Sequence, residues 1–197
     1  MSKAGKNGVK PSTPQNIPFG AGTIHKNLKY TEGTGWNFDS SIIGATSGGS
    51  KFSYVPEITT IELDGVLVRA KGFDKKTGES AQMDINLAEL SAETITNSII
   101  GKTVESEDTK YTKIVSKPDI ETGDYWENIA YVGETLKGEK IIVIMGNALC
   151  TSGFEVEGKN KEAGVLAATF ECSADPDEEG AELNVLPVEI YYPANNQ

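Results

Sequence analysis

The chain is poor in histidine, cysteine and long apolar runs, and each scarcity removes a class of function. Its 197 residues include one histidine and two cysteines. The longest apolar stretch, Ile141 to Met145, is strand-sized, far short of the ~20 residues a membrane helix needs. The opening segment MSKAGKNGVK carries lysines with no apolar segment behind them, so a secretory signal is not expected. Cys150 and Cys172 form no CxxC and no Cys/His cluster, and both lie in apolar runs. Two reduced, buried thiols are expected, in a protein that folds in a cytoplasm. His25 falls in a segment expected to be flexible and lacks a partner cysteine or a nucleophile-elbow serine, so neither a Ser/His nor a Cys/His site is expected. The 29 acidic side chains are too many for a pair of carboxylates to single itself out.

Two near-motifs fail on physical grounds. Gly153 to Asn160 has the outline of a phosphate-binding loop, but Asn160 stands where a Ser or Thr must hold magnesium, and Glu155 and Glu157 would repel phosphates. Asp175 to Gly180 begins like a calcium loop, yet its twelfth position is Leu186 rather than Glu. No cofactor, no metal and no enzyme activity is expected.

Charge is unevenly spread. Residues 1–31 hold Lys3, Lys6, Lys10, Lys26 and Lys29 and no acid, leaving 13 basic against 29 acidic side chains, a net of −16, in the remainder. Such a body does not grip nucleic acid, because phosphate binding relies on lysine and arginine displacing counterions.

The first ~30 residues are rich in Gly, Pro, Lys, Ser and Asn without a period of 2 or 3.6, and read as a flexible basic arm over 1–31. Residues 32–197 read as a single β domain. Its first stretch, Thr31 to Ser50, contains Trp36, Phe38, Ile42 and Ile43 and predicts an ordered loop. Ile61 to Val68 around Asp64-Gly65 predicts a hairpin with a type I′ turn, in which Leu63 faces Val66 and Ile61 faces Val68. Ala81 to Leu87 alternates strictly, with Gln82, Asp84 and Asn86 on one face. Ser91 to about Ile100 is the one helix, capped by Ser91, ended by Gly101 and carrying an Ile95/Ile99 stripe. A polar loop over 102–125 contains a weak strand at Tyr111–Val115, and further strands are expected at 126–133, 139–145, 149–157, 165–172 and 183–192. Many short strands and one helix predict a mainly β fold, a two-sheet sandwich or barrel flanked by that helix. An arm and a long loop of no use to a monomer describe a subunit that assembles.

Several segments in order resemble the major tail (tail tube) proteins of siphophages that infect Gram-positive bacteria: Ile17-Pro-Phe-Gly-Ala-Gly-Thr23, Ile43-Gly-Ala-Thr-Ser-Gly-Gly49, the Leu63-Asp-Gly65 turn running to Lys71-Gly72, Leu87-Ala-Glu-Leu90 before the helix, and Leu186-Pro-Val-Glu-Ile-Tyr-Tyr-Pro193. The resemblance implies two packed sheets and a flanking helix, in rings, expected to be hexameric, that stack into a hollow tube in the virion tail after assembly in the host cytoplasm. It implies the chain itself as chief partner, with tape measure, tail tip and terminator proteins, and DNA passing along a negative lumen without sticking. Gln82, Asp84 and Asn86 are candidates for the lumen wall, although outer-surface exposure explains that face equally well. The arm lysines (Lys3, Lys6, Lys10, Lys26, Lys29) and the loop residues Tyr111, Lys113, Lys117 and Asp119 are candidates for contacts between rings. Two other readings remain open. One is the inner tube of a contractile tail or secretion-like system. The other is a glycan-binding β-sandwich, which would need an aromatic platform, whereas Trp36 and Trp126 both adjoin apolar residues and are expected in the core.

Overall fold

The computed structural model describes residues 8–157, 164–176 and 183–194. The fold is mainly β: a large antiparallel sheet accompanied by one short capped helix. In chain order, a 3-10 turn at Thr13–Asn16 precedes β1 (Pro18–Lys26), β2 (Tyr30–Thr31), β3 (Gly35–Trp36), the single turn α1 (Phe38–Ser41), β4 (Lys51–Thr60) and β5 (Asp74–Leu87). Then come α2 (Ala92–Ser98), β6 (Gly101–Val104), β7 (Lys113–Ser116), a 3-10 turn at Thr122–Asp124, β8 (Trp126–Thr135) and β9 (Lys140–Cys150). The described chain closes with β10 (Val156–Glu157), β11 (Val165–Cys172) and β12 (Val188–Tyr191).

The main path of the sheet runs β1-β8-β9-β11-β5-β4, with β10 paired to β11 and β12 to β9. β9 organises it, because β8 pairs along one edge while the other edge changes partner, from β12 over 142–145 to β11 over 148–150. The change falls at Gly146-Asn147. Asn147 has a left-handed backbone (φ 45), a conformation Asn tolerates better than most residues. It breaks the two-residue alternation, so Met145 and Ala148, three apart, both enter the same core. A Cβ at Gly146 would lie 3.0 Å from Pro187, so any larger residue there would have to push back the segment before β12.

Two faces are buried. The inner one gathers Met83, Ile85, Leu87, Trp126, Ile129, Met145, Leu166 and Phe170, joined by Ile24 of β1. Each side chain of this size contributes roughly 1.5–3 kcal/mol by leaving water. On the other face of β8 and β9, Ala130, Val132, Ile142 and Ile144 are covered by Leu28, Trp36 and Phe38. Double burial explains why Ile141–Met145 reads as a continuous apolar run. It also gives the 31–50 segment its order. Residues 42–47 bond to two separate strands: the backbone N–H of Ile43 donates to Ile24 O (3.1 Å), that of Ser47 to Asn86 O (3.0 Å), and that of Ala88 to Ala45 O (2.8 Å).

Several expectations need correction. Within the 1–31 arm, Pro18–Lys26 is a strand paired with β8. Its glycine-rich start hid it: the register slips between Phe19 and Thr23, and at Gly22 (φ +69) a Cβ would strike the Tyr131 ring. The hairpin is β4–β5, with pairs from Lys51↔Asp84 to Thr60↔Asp74. Asp64-Gly65 does turn, with the Val66 N–H donating to Leu63 O at 3.1 Å. Only Gly65 has positive φ, so a type I′ turn, which needs it at both positions, is not formed. The 102–125 loop is folded: β6 and β7 pair as a hairpin against α2. The buried positions of α2 are Thr94 and Ser98 rather than Ile95 and Ile99. The strand expected at 149–157 is split between the end of β9 and the two residues of β10, and that at 183–192 shortens to β12.

Asn128 ties the N-terminal segment to β8. Its Oδ1 accepts from the Leu28 N–H (2.9 Å) and its Nδ2 donates to the Leu28 carbonyl (3.1 Å), both buried. Asn128→Ala strands two backbone groups and is expected to lower stability by about 2–3 kcal/mol in urea unfolding. A loss below about 0.5 kcal/mol would mean that water replaces the carboxamide.

Candidate functional site

The β4–β5 hairpin grows out of the core and then leaves it. At its root Phe52 faces Met83 and Tyr54 faces Ala81, so one side of the ladder lies on the inner core. Further out, Ile58↔Lys76 and Thr60↔Asp74 pair in solvent. Glu79 sits at the boundary. Its carboxylate accepts from the Lys76 ammonium, the Tyr54 hydroxyl and the backbone N–H of Leu186. Only 4% of its side chain is accessible. Lys76 first, then Tyr54 and Leu186, hold its pKa down at about 2.

Residues 61–73 form the tip. Asp74 closes its neck, accepting from Thr60 Oγ1 (2.7 Å) and from Arg69 Nε (3.1 and 3.3 Å), with the guanidinium also 3.0 Å from Oδ2. These bonds, Arg69 foremost, lower the Asp74 pKa. The tip is thus a closed loop, yet it presents apolar side chains to water: Leu67 is 96% and Val68 76% exposed, with Ile61, Leu63 and Val66 about half exposed. Ile58 and Val55 continue the patch down the shaft. Exposure of this kind makes the tip a candidate interaction surface. Leu63 and Val66, expected to face each other across a hairpin turn, belong to this exposed loop.

Gln82, Asp84 and Asn86 lie on one half-buried face of β5, as alternation predicts. Asp84 Oδ1 accepts from Gln82 Nε2 (2.7 Å) and Thr169 Oγ1 (2.8 Å), and Asn86 Nδ2 donates to Gly49 O (3.1 Å). Lys3 and Lys6 lie outside the described residues, and Lys10 is exposed. Lys26 and Lys29 belong to the body rather than to a free arm: Lys26 pairs with Glu93 and Lys29 with Glu127 at 2.6 Å. In the 102–125 segment Tyr111, Lys113 and Asp119 are exposed. Lys117 turns inward, bridging Glu121 (2.7 Å) and Asp124 (2.8 Å), and so fixes the 3-10 turn.

His25 is not in a flexible arm; it is 1% exposed. The Ser41 hydroxyl donates to Asn37 O at 2.9 Å, so its oxygen accepts from Nδ1–H at 2.8 Å, and Nε2 then accepts from Thr23 Oγ1 at 2.7 Å. Burial first, then Lys140, lowers the imidazole pKa, partly offset by the Phe38 backbone. This is a neutral structural histidine. Cys172 donates to Gly146 O (3.1 Å), and burial above all, with Glu79, pushes its thiol up to about 12, so it offers no thiolate. Among the described residues no group of three His, Cys, Asp or Glu side chains is placed to hold a metal.

A second feature lies between β1, α2 and β8. Lys26, Asn27, Glu93, Thr96, Asn97, Tyr125, Trp126 and Glu127 border an open cleft. Trp126 is 4% exposed, tilted against Phe170 at 4.6 Å, with the Lys26 ammonium 4.6 Å above its ring. Among the described residues, the buried side-chain polar atoms without a hydrogen-bond partner are Asn27 Oδ1 and Trp126 Nε1, and both residues border this cleft. An unmade buried hydrogen bond costs about 1–3 kcal/mol. The partly exposed Lys26–Glu93 pair and the cation–π contact that cover the ring are each worth only about 1 kcal/mol or less.

The chain matches no protein-family model, and no curated protein matches it.

As the sole histidine, His25 gives unambiguous ring resonances. They are expected to titrate below 6.5, the ordinary value. Because the folded pKa is the depressed one, the associated stability is complete above 6.5 and declines as pH falls below it; a midpoint at or above 6.5 would contradict the buried, neutral assignment. Glu79 is lowered from 4.5 to about 2, so its hold on the Leu186 amide is expected to be complete above 4.5 and lost as pH falls towards 2. Hydrogen exchange at that amide follows this directly, and Glu79→Gln is expected to raise its exchange rate at neutral pH.

Proposed function

We propose that the chain is a structural subunit that assembles with itself, the tail tube protein of a long-tailed bacteriophage, stacking as rings around a channel for DNA. The observation that carries this reading is the tip of the β4–β5 hairpin. Its neck is fastened by Asp74 while Leu67 and Val68 stand almost wholly in water. Each such side chain, once covered, returns roughly 1.5–3 kcal/mol, and a second copy is the partner the reading supplies. In this reading residues 61–73 join the 102–125 segment as candidates for the contact between rings.

Two further features support the reading. Residues 42–47 bond to β1 and to the end of β5; in this reading they close the sheet into a barrel, leaving β4 as the extension that reaches outward. Gln82, Asp84 and Asn86, with Thr169 and Glu171 opposite them, then form the wall that faces the lumen. The net charge of −16 beyond residue 31 suits a channel along which DNA slides without being held.

Negative-stain electron microscopy of the concentrated protein, with light scattering in parallel, is expected to show stacked rings or hollow tubes of even diameter. The double variant Leu67→Asp, Val68→Asp is expected to keep its circular dichroism spectrum and remain monomeric. Tubes of normal length from that variant would remove the tip from the assembly. A wild-type chain that stays monomeric even beside preformed tail tips would overturn the tube itself.

A further inference from the structure

Asp64 is the one aspartate that precedes a glycine, and the pair forms the turn at the hairpin tip. A backbone nitrogen can attack the side-chain carboxyl group of the aspartate before it. Three things slow that attack in a folded chain: a side chain on the attacking residue, a hydrogen bond on its N–H, and partners that pin the carboxylate. At this turn all three are missing. Gly65 has no side chain to obstruct the approach. Among the described residues, neither the Gly65 N–H nor the Asp64 carboxylate has a hydrogen-bond or ion-pair partner, and both residues are exposed. Other aspartates are restrained. Asp84 precedes Ile85 within β5 and is held by Gln82 and Thr169. Asp74 precedes Lys75 and is held by Thr60 and Arg69. Asp108 Oδ1 accepts from the Lys110 N–H at 3.0 Å.

We propose that Asp64 is a modification site: it isomerises spontaneously to isoaspartate, a substrate for methyltransferases that esterify isoaspartyl carboxyl groups. The Gly65 nitrogen bonds to Cγ of the protonated carboxyl group and loses its proton, while one carboxyl oxygen leaves as water. A succinimide ring remains. Water then opens the ring at the Asp64 main-chain carbonyl, so the chain runs on through Cγ and the former main-chain carbonyl becomes a free carboxylate. Opening at Cγ instead restores aspartate. Nothing is oxidised or reduced, and the water lost in the first step is regained in the second. The product keeps its negative charge but has one more carbon in the main chain. The turn that the Val66 N–H closes on Leu63 O at 3.1 Å must then lengthen, next to Leu67 and Val68, the most exposed apolar side chains of the tip. The chemistry does not depend on the tube reading.

The test ages the full chain at neutral pH, folded in buffer and, separately, unfolded in urea, and then digests it briefly with trypsin. The peptide Phe52–Arg69 holds Asp64 as its only aspartate and contains no asparagine, so isoaspartate in it reports this site alone. A second chromatographic peak of unchanged mass is expected to grow with time. It is expected to accept a methyl group from S-adenosylmethionine in the presence of protein isoaspartyl methyltransferase. One good hydrogen bond on the Gly65 N–H would slow the folded chain by about tenfold; without it, the folded chain is expected to react within about tenfold of the unfolded one. Asp64→Glu, which would have to close a larger ring, is expected to lose the second peak. Absence of the isomer from the folded chain, a folded rate more than about tenfold below the unfolded rate, or a second peak that persists in Asp64→Glu would each overturn the proposal.

Discussion

A single strand that must serve two partners along one edge governs much of this molecule. β9 gives one edge to β8 and divides the other between β12 and β11, and the division falls where Asn147 takes a left-handed backbone. With ordinary alternation, Met145 and Ala148 would point to opposite faces; here they share a core. The C-terminal strand then has a place to dock, Gly146 permits Pro187 to lie against it, and Leu186 and Val188 reach the inner cluster. Layers on both faces of β8 and β9 follow from the same arrangement, since a strand ringed by neighbours and covered on both sides holds the centre of the fold.

What could be read from the sequence was decided by one-sided burial. Ala81–Leu87 alternates because one face meets the core and the other meets water, and the pattern carried straight into the structure. Ser91 caps its helix through Thr94, as its position suggested. Elsewhere local signals competed with distant ones. Asp64-Gly65 makes its turn, but the register is set by Phe52 against Met83 and Tyr54 against Ala81, 10 to 18 residues away from it in sequence. β1 was obscured by the glycines of its irregular start, so the burial of His25 was invisible. That Asn27 and Trp126 border one cleft had no sequence signature, because it depends on β1 and β8 lying side by side.

Exposed apolar side chains in this chain are not all isolated. A monomer commonly carries isolated apolar residues on its surface. Here several share one loop whose neck is closed by Arg69, Thr60 and Asp74, on strands that have left the core, while others, among them Phe19, Tyr111 and Ile190, lie elsewhere. In the proposed assembly the acidic body keeps copies apart at long range and the apolar projection selects where they meet, a division that favours ordered association over indiscriminate collapse.

The carboxylate at the hairpin root has a mechanical consequence. Glu79 ties the projecting ladder to the backbone of Leu186, and four residues of the strand that follows are laced to β9. A pull on the tip is therefore shared between two routes, the β5–β11 ladder and the C-terminal strand, both of which end on β9. Because the bonds of an antiparallel ladder lie across the strands, the hairpin acts as a lever with a braced fulcrum: it resists bending at its root and passes displacement of its far end into the centre of the sheet.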